Sequence, residues 1–295
     1  MPRYPVYIIS KGRYTKTTAL TAQWFMKDGV PFTIAVEPQE LEEYKKIVPE
    51  ENIFVLPFSN LGQGSIPARN ACWEHSIEQG HERHWLFDDN IRSMKRWYKG
   101  KRITCNANPG FEAIEDFVDR YENVAIAGMN YSMFCPGAFM HKVPFRLNVH
   151  VYSNLLIKND IPQRWRGRYN EDTDLCLQVL SAGQCTLLFN IFMIEKMRTM
   201  TMKGGNSDEL YQDDGRLKMA KSLERQWPKA VTVDRRFKRP QHVVDNGWRK
   251  FDTPLKRRKD IDWDAIKKAG TNDYGMELKA VGEVKSKDLR GLLDE

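Results

Sequence analysis

The sequence predicts an α/β protein, a mainly parallel sheet flanked by helices, with a basic C-terminal extension. Three observations predict it. Apolar runs of strand length alternate with helical periodicity over residues 4–87, which implies βαβ units. Glycine or proline stands where all but one of the expected helices should stop. The net charge of +7 is concentrated late in the chain.

Residues 4–9 read as the first strand. Residues 17–28 carry Ala19, Leu20, Gln23 and Trp24 at helical spacing, and Gly29 stands where a left-handed cap belongs. Pro31 precedes a second strand at 32–36. A helix over 40–47 is stopped by Pro49, and a third strand follows at 53–56. Residues 65–79 form a helix ending at Gly80, and 84–87 form the fourth strand. The stretches 91–98 and 102–105, around Lys99-Gly100-Lys101, suggest a hairpin. A helix at 111–121 and a strand at 124–127 follow, and 147–157 returns to the sheet. Residues 171–180 make a helix with Leu175, Val179 and Leu180 on one side, Asn170 as N-cap and Gly183 beyond its end. A strand at 185–194, a loop at 203–206 and a helix at 214–226, stopped by Pro228, complete the pattern. No internal repeat is present. The expected division is a domain over 1–228, a basic segment over 229–270 packed on it and facing a polyanion, and a weakly patterned tail over 271–295.

With 295 residues and 41% apolar content, the chain can bury one large core. No apolar run approaches the roughly 18 residues of a membrane span. The opening Met1-Pro2-Arg3-Tyr4-Pro5 leads into a strand and not a signal peptide. Five scattered cysteines without a Cys-x-x-Cys pair point to reduced thiols in a cytosol and against a cysteine-based zinc site. From Lys229 to Asp260, eleven Lys/Arg face four Asp/Glu, so the whole cationic excess lies there. Such a surface suits nucleic acid. A solvated basic tail is the plain alternative.

Four motifs bear chemistry. The buried-strand run Trp85-Leu86-Phe87 ends in Asp88-Asp89-Asn90. Two carboxylates beside a core strand are costly unless a cation meets them. At the ligand-binding end of an α/β sheet, a divalent metal on oxygen ligands fits, and it would hold a diphosphate. A polar turn closing a strand is the alternative. After the first strand, Ser10-Lys11-Gly12-Arg13 combines a close-approach glycine with two cations, suited to a nucleotide, although it is not a P-loop. In Gly62-Gln63-Gly64-Ser65, the serine caps a helix whose first turns bring Arg69 and Asn70 toward the same crevice. An ordinary capped helix would look alike. In Asn170-Glu171-Asp172-Thr173-Asp174, acids suit a helix N-terminus. Beside Arg164-Trp165-Arg166-Gly167-Arg168-Tyr169, one of them also suits a general base on an acceptor hydroxyl. His75, His81, His141, His150 and His242 have no diagnostic spacing. Trp165, Tyr169, Phe237, Trp248 and Phe251 suit stacking on bases or packing in the core.

Tyr4-Pro5-Val6-Tyr7-Ile8, the run from Leu61 to Asn70, Asn170-Glu171-Asp172-Thr173-Asp174-Leu175 and the run from Thr199 to Asn206 together resemble the TET-associated glycosyltransferases of bacteriophages, a GT-A-type family. The resemblance covers about residues 4–250. It implies a GT-A-like fold and transfer of sugar from a UDP-sugar to 5-hydroxymethylcytosine in phage DNA. A TET-like dioxygenase would make that base, and the host cytoplasm would be the location. It implies Mn²⁺ or Mg²⁺ mainly on Asp89, with Asp88 toward the donor; Asn90 departs from the family's Asp-x-Asp. Asp172, paired with Glu171, matches the catalytic base of inverting members. Ser10, Lys11, Gly12, Arg13, Glu37, Arg69 and Asn70 fall on the donor side, with Gly204, Gly205 and Asn206 closing over the diphosphate. Trp165, Arg166, Arg168 and Asp174 are expected on the acceptor side. Two rivals stand beside this reading. A two-metal nucleotidyltransferase is disfavoured by adjacent acids lying a full helix beyond Gly64-Ser65. A nucleic-acid-binding module without catalysis leaves the acidic pairs unexplained.

Overall fold

The computed structural model describes residues 1–98, 100–135, 143–197, 215–236 and 239–270. Strands β1 (Val6–Ile9), β2 (Thr33–Val36), β3 (Ile53–Val55) and β4 (Arg83–Asp88) pair in parallel in the order β3-β2-β1-β4. Trp85, Leu86 and Phe87 are all fully buried, as a strand covered on both faces requires. Helices α1 (Leu20–Asp28), α2 (Leu41–Tyr44) and α3 (Ile66–Glu78) make the connections. Gly29 ends α1 at φ 68°, a left-handed position that glycine takes without strain. The helix expected over 40–47 is a 3-10 turn, Pro38–Glu40, followed by the short α2.

The expected hairpin is β5 (Ile91–Tyr98) with β6 (Lys101–Cys105). Helix α4 (Ala107–Val118) follows, capped by Asn106, whose side chain accepts from Asn108 N–H. Then come β7 (Val124–Tyr131), β8 (Phe145–Leu147), β9 (Asn154–Lys158), α5 (Glu171–Ser181) and β10 (Cys185–Lys196). The stretch 147–157 is thus a strand end, a loop and a second strand. β9 lies antiparallel between β4 and β7, and β10 runs parallel to β7. β8 and the hairpin strand β5 pair antiparallel to β10. β1 to β4, β6, β7 and β10 therefore run one way, and β5, β8 and β9 the other. This is the mainly parallel sheet flanked by helices that the sequence predicts.

The core has two layers. Phe25, Trp85, Phe87 and Phe111 pack between one face of the sheet and α1 and α4. Trp73, Leu86, Leu175 and Val179 fill the face under α3 and α5. The outward side of α5 carries Leu177 into a third cluster with Leu223, Val231 and Val244. These last three come from helix α6 (Gly215–Gln226) and from the ends of a hairpin, β11 (Thr232–Arg236) with β12 (Arg239–Val243). α6 and the hairpin thus share one apolar cluster across residue 228. Helix α7 (Asp245–Lys250) follows. The chain then returns to the start of β7, where Lys256 N–H donates to Asn123 Oδ1 at 2.8 Å and Arg258 N–H to Arg120 O at 3.0 Å. Helix α8 (Trp263–Ala269) ends the described chain, so the expected tail over 271–295 lies outside the described residues. The basic excess is therefore divided. Arg235, Arg236 and Arg239 are exposed on the β11–β12 hairpin, while Lys256, Arg257 and Lys259 lie at the opposite end of β7 from Tyr131.

Candidate active site

The tips of β1, β4 and β10 and the start of α5 converge on one cleft. Thr21, at the start of α1, braces the turn after β4. Its hydroxyl donates to Asp88 O at 2.6 Å and accepts from Ile91 N–H at 3.0 Å. That turn sends Asp88 and Asp89 to different partners. Asp89 is buried; it pairs with Arg13, itself buried, and accepts from Ser10 Oγ at 2.7 Å. Ser10 Oγ also meets Tyr44 Oη at 2.6 Å. Asp88 accepts from Arg69 Nη2 at 2.9 Å on one oxygen and from Lys196 Nζ at 2.6 Å on the other. Lys196 also donates to Ser153 Oγ at 2.6 Å.

Arg69 is the joint between the two acidic motifs. Its Nη2 lies 3.5 Å from Glu171 Oε1, and its Nε donates to Ser65 Oγ at 3.1 Å. Ser65 donates in turn to Glu171 Oε1 at 3.1 Å, so the expected N-cap serine does not cap its helix. Asn170 departs from expectation in the same way. It sits at φ 53° without a capping bond, and its side chain donates to Met219 O at 2.8 Å.

The charges follow from this wiring. Burial would raise the Asp88 carboxyl, but Lys196 and Arg69 bring it down to about 2. Burial outweighs the pull of Arg13 at Asp89 and pushes that carboxyl upward. Glu171 is likewise raised by burial against the opposing charge of Arg69. Asp172 behaves oppositely. Burial acts upward, but His150 and the Thr173 N–H hold it far below the usual carboxylate range. Two adjacent acids are thus driven apart, a pattern typical of catalytic pairs.

The fit of a divalent ion can be tested on these contacts. All four carboxylate oxygens of Asp88 and Asp89 are met by Arg13, Ser10, Arg69 or Lys196. Among the described residues, no three His, Cys, Asp or Glu side chains are grouped to hold a metal. This arrangement does not fit the ion expected on Asp89. Protein cations meet the charge that the sequence reading assigned to metal.

Other expected site residues divide into two groups. Lys11 reaches Glu37 at 2.8 Å and Asn60 at 2.9 Å, and Gly12 N–H donates to Glu40, so the β1 loop and Glu37 line the same end of the sheet. By contrast, Asn70 and Trp165 bond each other, at 3.0 Å and 3.2 Å. Trp165 is buried beneath the Arg69 guanidinium, 4.7 Å from its ring centre, and offers no stacking face to an acceptor. Asp174 is fully buried, gripped by Arg166 at 2.9 Å and 3.1 Å, Trp227 Nε1 at 2.7 Å and Gln178 at 2.8 Å. It fastens α6 to α5. Arg166 is spent on that contact, and Arg168 stacks near Tyr169. Gly204, Gly205 and Asn206 lie outside the described residues, as does His141.

Lys196, Ser153, His150 and His242 belong to the cleft and were not singled out for it from the sequence. Lys196 had a usable signal. It ends a long apolar strand, the same rule that marked Asp88.

The TET-Associated Glycosyltransferase family matches residues 4–205. The chain belongs to this family. It is therefore a glycosyltransferase, and the expected GT-A-like class agrees with the sheet described above. No curated protein matches the sequence. Among solved structures, a candidate nucleotide-diphospho-sugar transferase from Desulfovibrio desulfuricans G20 is 12% identical, with a TM-score of 0.35, covering 64% of this chain and 80% of that one. The inositol-1-phosphate CTP transferase from T. maritima is 10% identical, with a TM-score of 0.36, covering 65% and 88%. Likeness at this level adds nothing to the family assignment. No described helix of this family member is long and apolar enough to cross a membrane.

Proposed function

We propose that this glycosyltransferase moves a sugar from a UDP-sugar to the hydroxymethyl oxygen of 5-hydroxymethylcytosine in phage DNA. On this reading it acts in the host cytoplasm after a TET-like dioxygenase has oxidised the base. The observation that carries the reading is the Arg69 bridge between Asp88 and Glu171. It brings Asp88 and Glu171 together at the ligand-binding end of the sheet, which supports reading the first as donor-side and the second as acceptor-side.

The donor's diphosphate takes hydrogen bonds from Lys11, Arg13, Arg69 and Lys196 alongside the carboxylates these side chains already meet, and those donors stabilise it as it departs. Ser10 and Glu37 lie on the nucleotide side. Glu171 and Asp172 face the acceptor, and the exposed arginines of the β11–β12 hairpin offer phosphate contacts. The acceptor atom belongs to a base, so the base is flipped out or presented single-stranded. No step is assigned to a metal ion, since the two aspartates are already engaged.

Mass spectrometry of nucleosides tests this directly. Hydroxymethylated DNA is incubated with the full chain and a panel of UDP-sugars, with and without Mn²⁺. A hexose- or pentose-sized mass gain on 5-hydroxymethylcytosine alone is expected. Transfer to unmodified cytosine DNA, or nucleoside triphosphate consumption with pyrophosphate release, would replace this reading.

A further inference from the structure

Both oxygens of Asp172 are engaged within the protein. Its Oδ1 accepts from Thr173 N–H at 2.7 Å, and its Oδ2 lies 3.2 Å from His150 Nε2. Thr173 Oγ1 lies 3.2 Å from the same ring nitrogen. His150, in the loop between β8 and β9, is held on its other sides as well. Trp248 of α7 stacks nearly parallel to it, at 11° and 6.2 Å, and Tyr152 meets it edge-on at 5.0 Å. His242 of β12 approaches from the remaining direction, its Nε2 3.5 Å from Thr173 Oγ1. One ring nitrogen is thus committed to a carboxylate, and the plane of the ring is set by packing. Among the described residues, no hydrogen bond takes the other nitrogen, Nδ1, and the side chain is 30% exposed.

We propose that His150 is the catalytic base of the transfer, with Asp172 as the residue that positions it. This rests on the sugar-transfer reading above. The acceptor O–H bond breaks as its oxygen bonds to the anomeric carbon. The bond from that carbon to the donor diphosphate breaks, and its electron pair leaves on the diphosphate. The acceptor proton passes to His150 Nδ1. The Asp172 carboxylate, on the Nε2–H side, offsets the positive charge that forms. This is the general logic of a base oriented by a third group. The Asp172 carboxylate is engaged by His150 and Thr173, whereas His150 keeps one ring nitrogen for the incoming proton. Burial holds His242 toward its neutral form, so it adds no competing positive charge. His242 and Trp248 both lie beyond residue 205, where the family match ends. The C-terminal extension thus contributes two walls of the base's pocket.

The test uses the full chain, a 5-hydroxymethylcytosine duplex and a panel of UDP-sugars, with transfer rates measured for each variant and UDP affinity measured by calorimetry. His150→Gln should lower kcat by about 100-fold or more and leave UDP affinity within about twofold. His150→Gly should regain turnover with added imidazole, a rescue that a purely structural role would not show. Asp172→Asn should retain UDP binding and lose turnover. Failure of imidazole to rescue a His150→Gly enzyme that still binds UDP overturns His150 as base and leaves sugar transfer standing. So does a His150→Gln enzyme within about threefold of wild type. Absence of transfer by the wild type from every UDP-sugar overturns both readings.

Discussion

Asp88 of β4 and Glu171 of α5 are held together through one guanidinium nitrogen: Arg69 Nη2 lies 2.9 Å from the first carboxylate and 3.5 Å from the second. Arg69 is buried, and Trp165 covers its ring-facing side. Removing it leaves two partly buried acids without their common cation. Arg69→Met should therefore cost about 3 kcal/mol in urea denaturation and abolish UDP binding. A cost below about 1 kcal/mol would mean that the bridge is not a structural joint.

Asp89 and Arg13 make a second buried pair. Asp89→Asn takes a buried carboxylate away from Arg13 and Ser10, so the expected loss is again about 3 kcal/mol, seen as a lower urea midpoint. Chelator or added Mn²⁺ should leave the wild-type melting temperature unchanged. A rise in melting temperature with Mn²⁺ that Asp89→Asn removes would return the ion to this residue.

His84 is fully buried and bonded through Nδ1 to Asn159 Oδ1 at 2.6 Å. Burial lowers its pKa from 6.5 to about 4. The native state therefore keeps the ring neutral where the unfolded chain would protonate it. Its contribution is complete above about 6.5 and is lost as pH falls toward about 4, at a cost of about 3 kcal/mol. Asp88, held at about 2, acts in a lower window. Its contribution is present above the ordinary carboxylate value and is lost as pH falls through about 2. Ring-proton NMR checks the histidine. If the His84 resonance titrates near neutral pH, the argument fails.

Trp227 Nε1 donates to Asp174 Oδ1 at 2.7 Å, pinning α6 to α5. Trp227→Phe keeps most of the apolar contact and removes the donor. Asp174 retains Arg166 and Gln178, so a loss of about 1–2 kcal/mol is expected. Hydrogen exchange should rise in α6 and the β11–β12 hairpin before the sheet opens. Uniform exchange across the chain would show that the extension is not fastened there.

Much of the scaffold is legible locally. The strands that became β1 to β4, helices α1 and α3, and the β5–β6 hairpin follow from apolar periodicity and from stops such as Gly29 and Gly80. The same information marks Asp88 and Asp172 as unusual, because acids at strand tips and helix starts carry a solvation cost or a dipole preference whatever lies around them.

What meets those acids is a different matter. Lys196 and Ser153 reach Asp88 from β10 and from the loop before β9, and His150 and His242 reach the start of α5 from two further segments. Ser65 keeps its place before a helix yet spends its hydroxyl on Glu171. Sequence alone determined that this chain would build a mainly parallel sheet with acids at its ligand-binding end. Tertiary structure decided that arginine and lysine neutralise two of those acids and that a histidine claims another. Periodicity is a property of neighbours along the chain, whereas a carboxylate's charge and usefulness depend on groups brought within about 4 Å from anywhere in it.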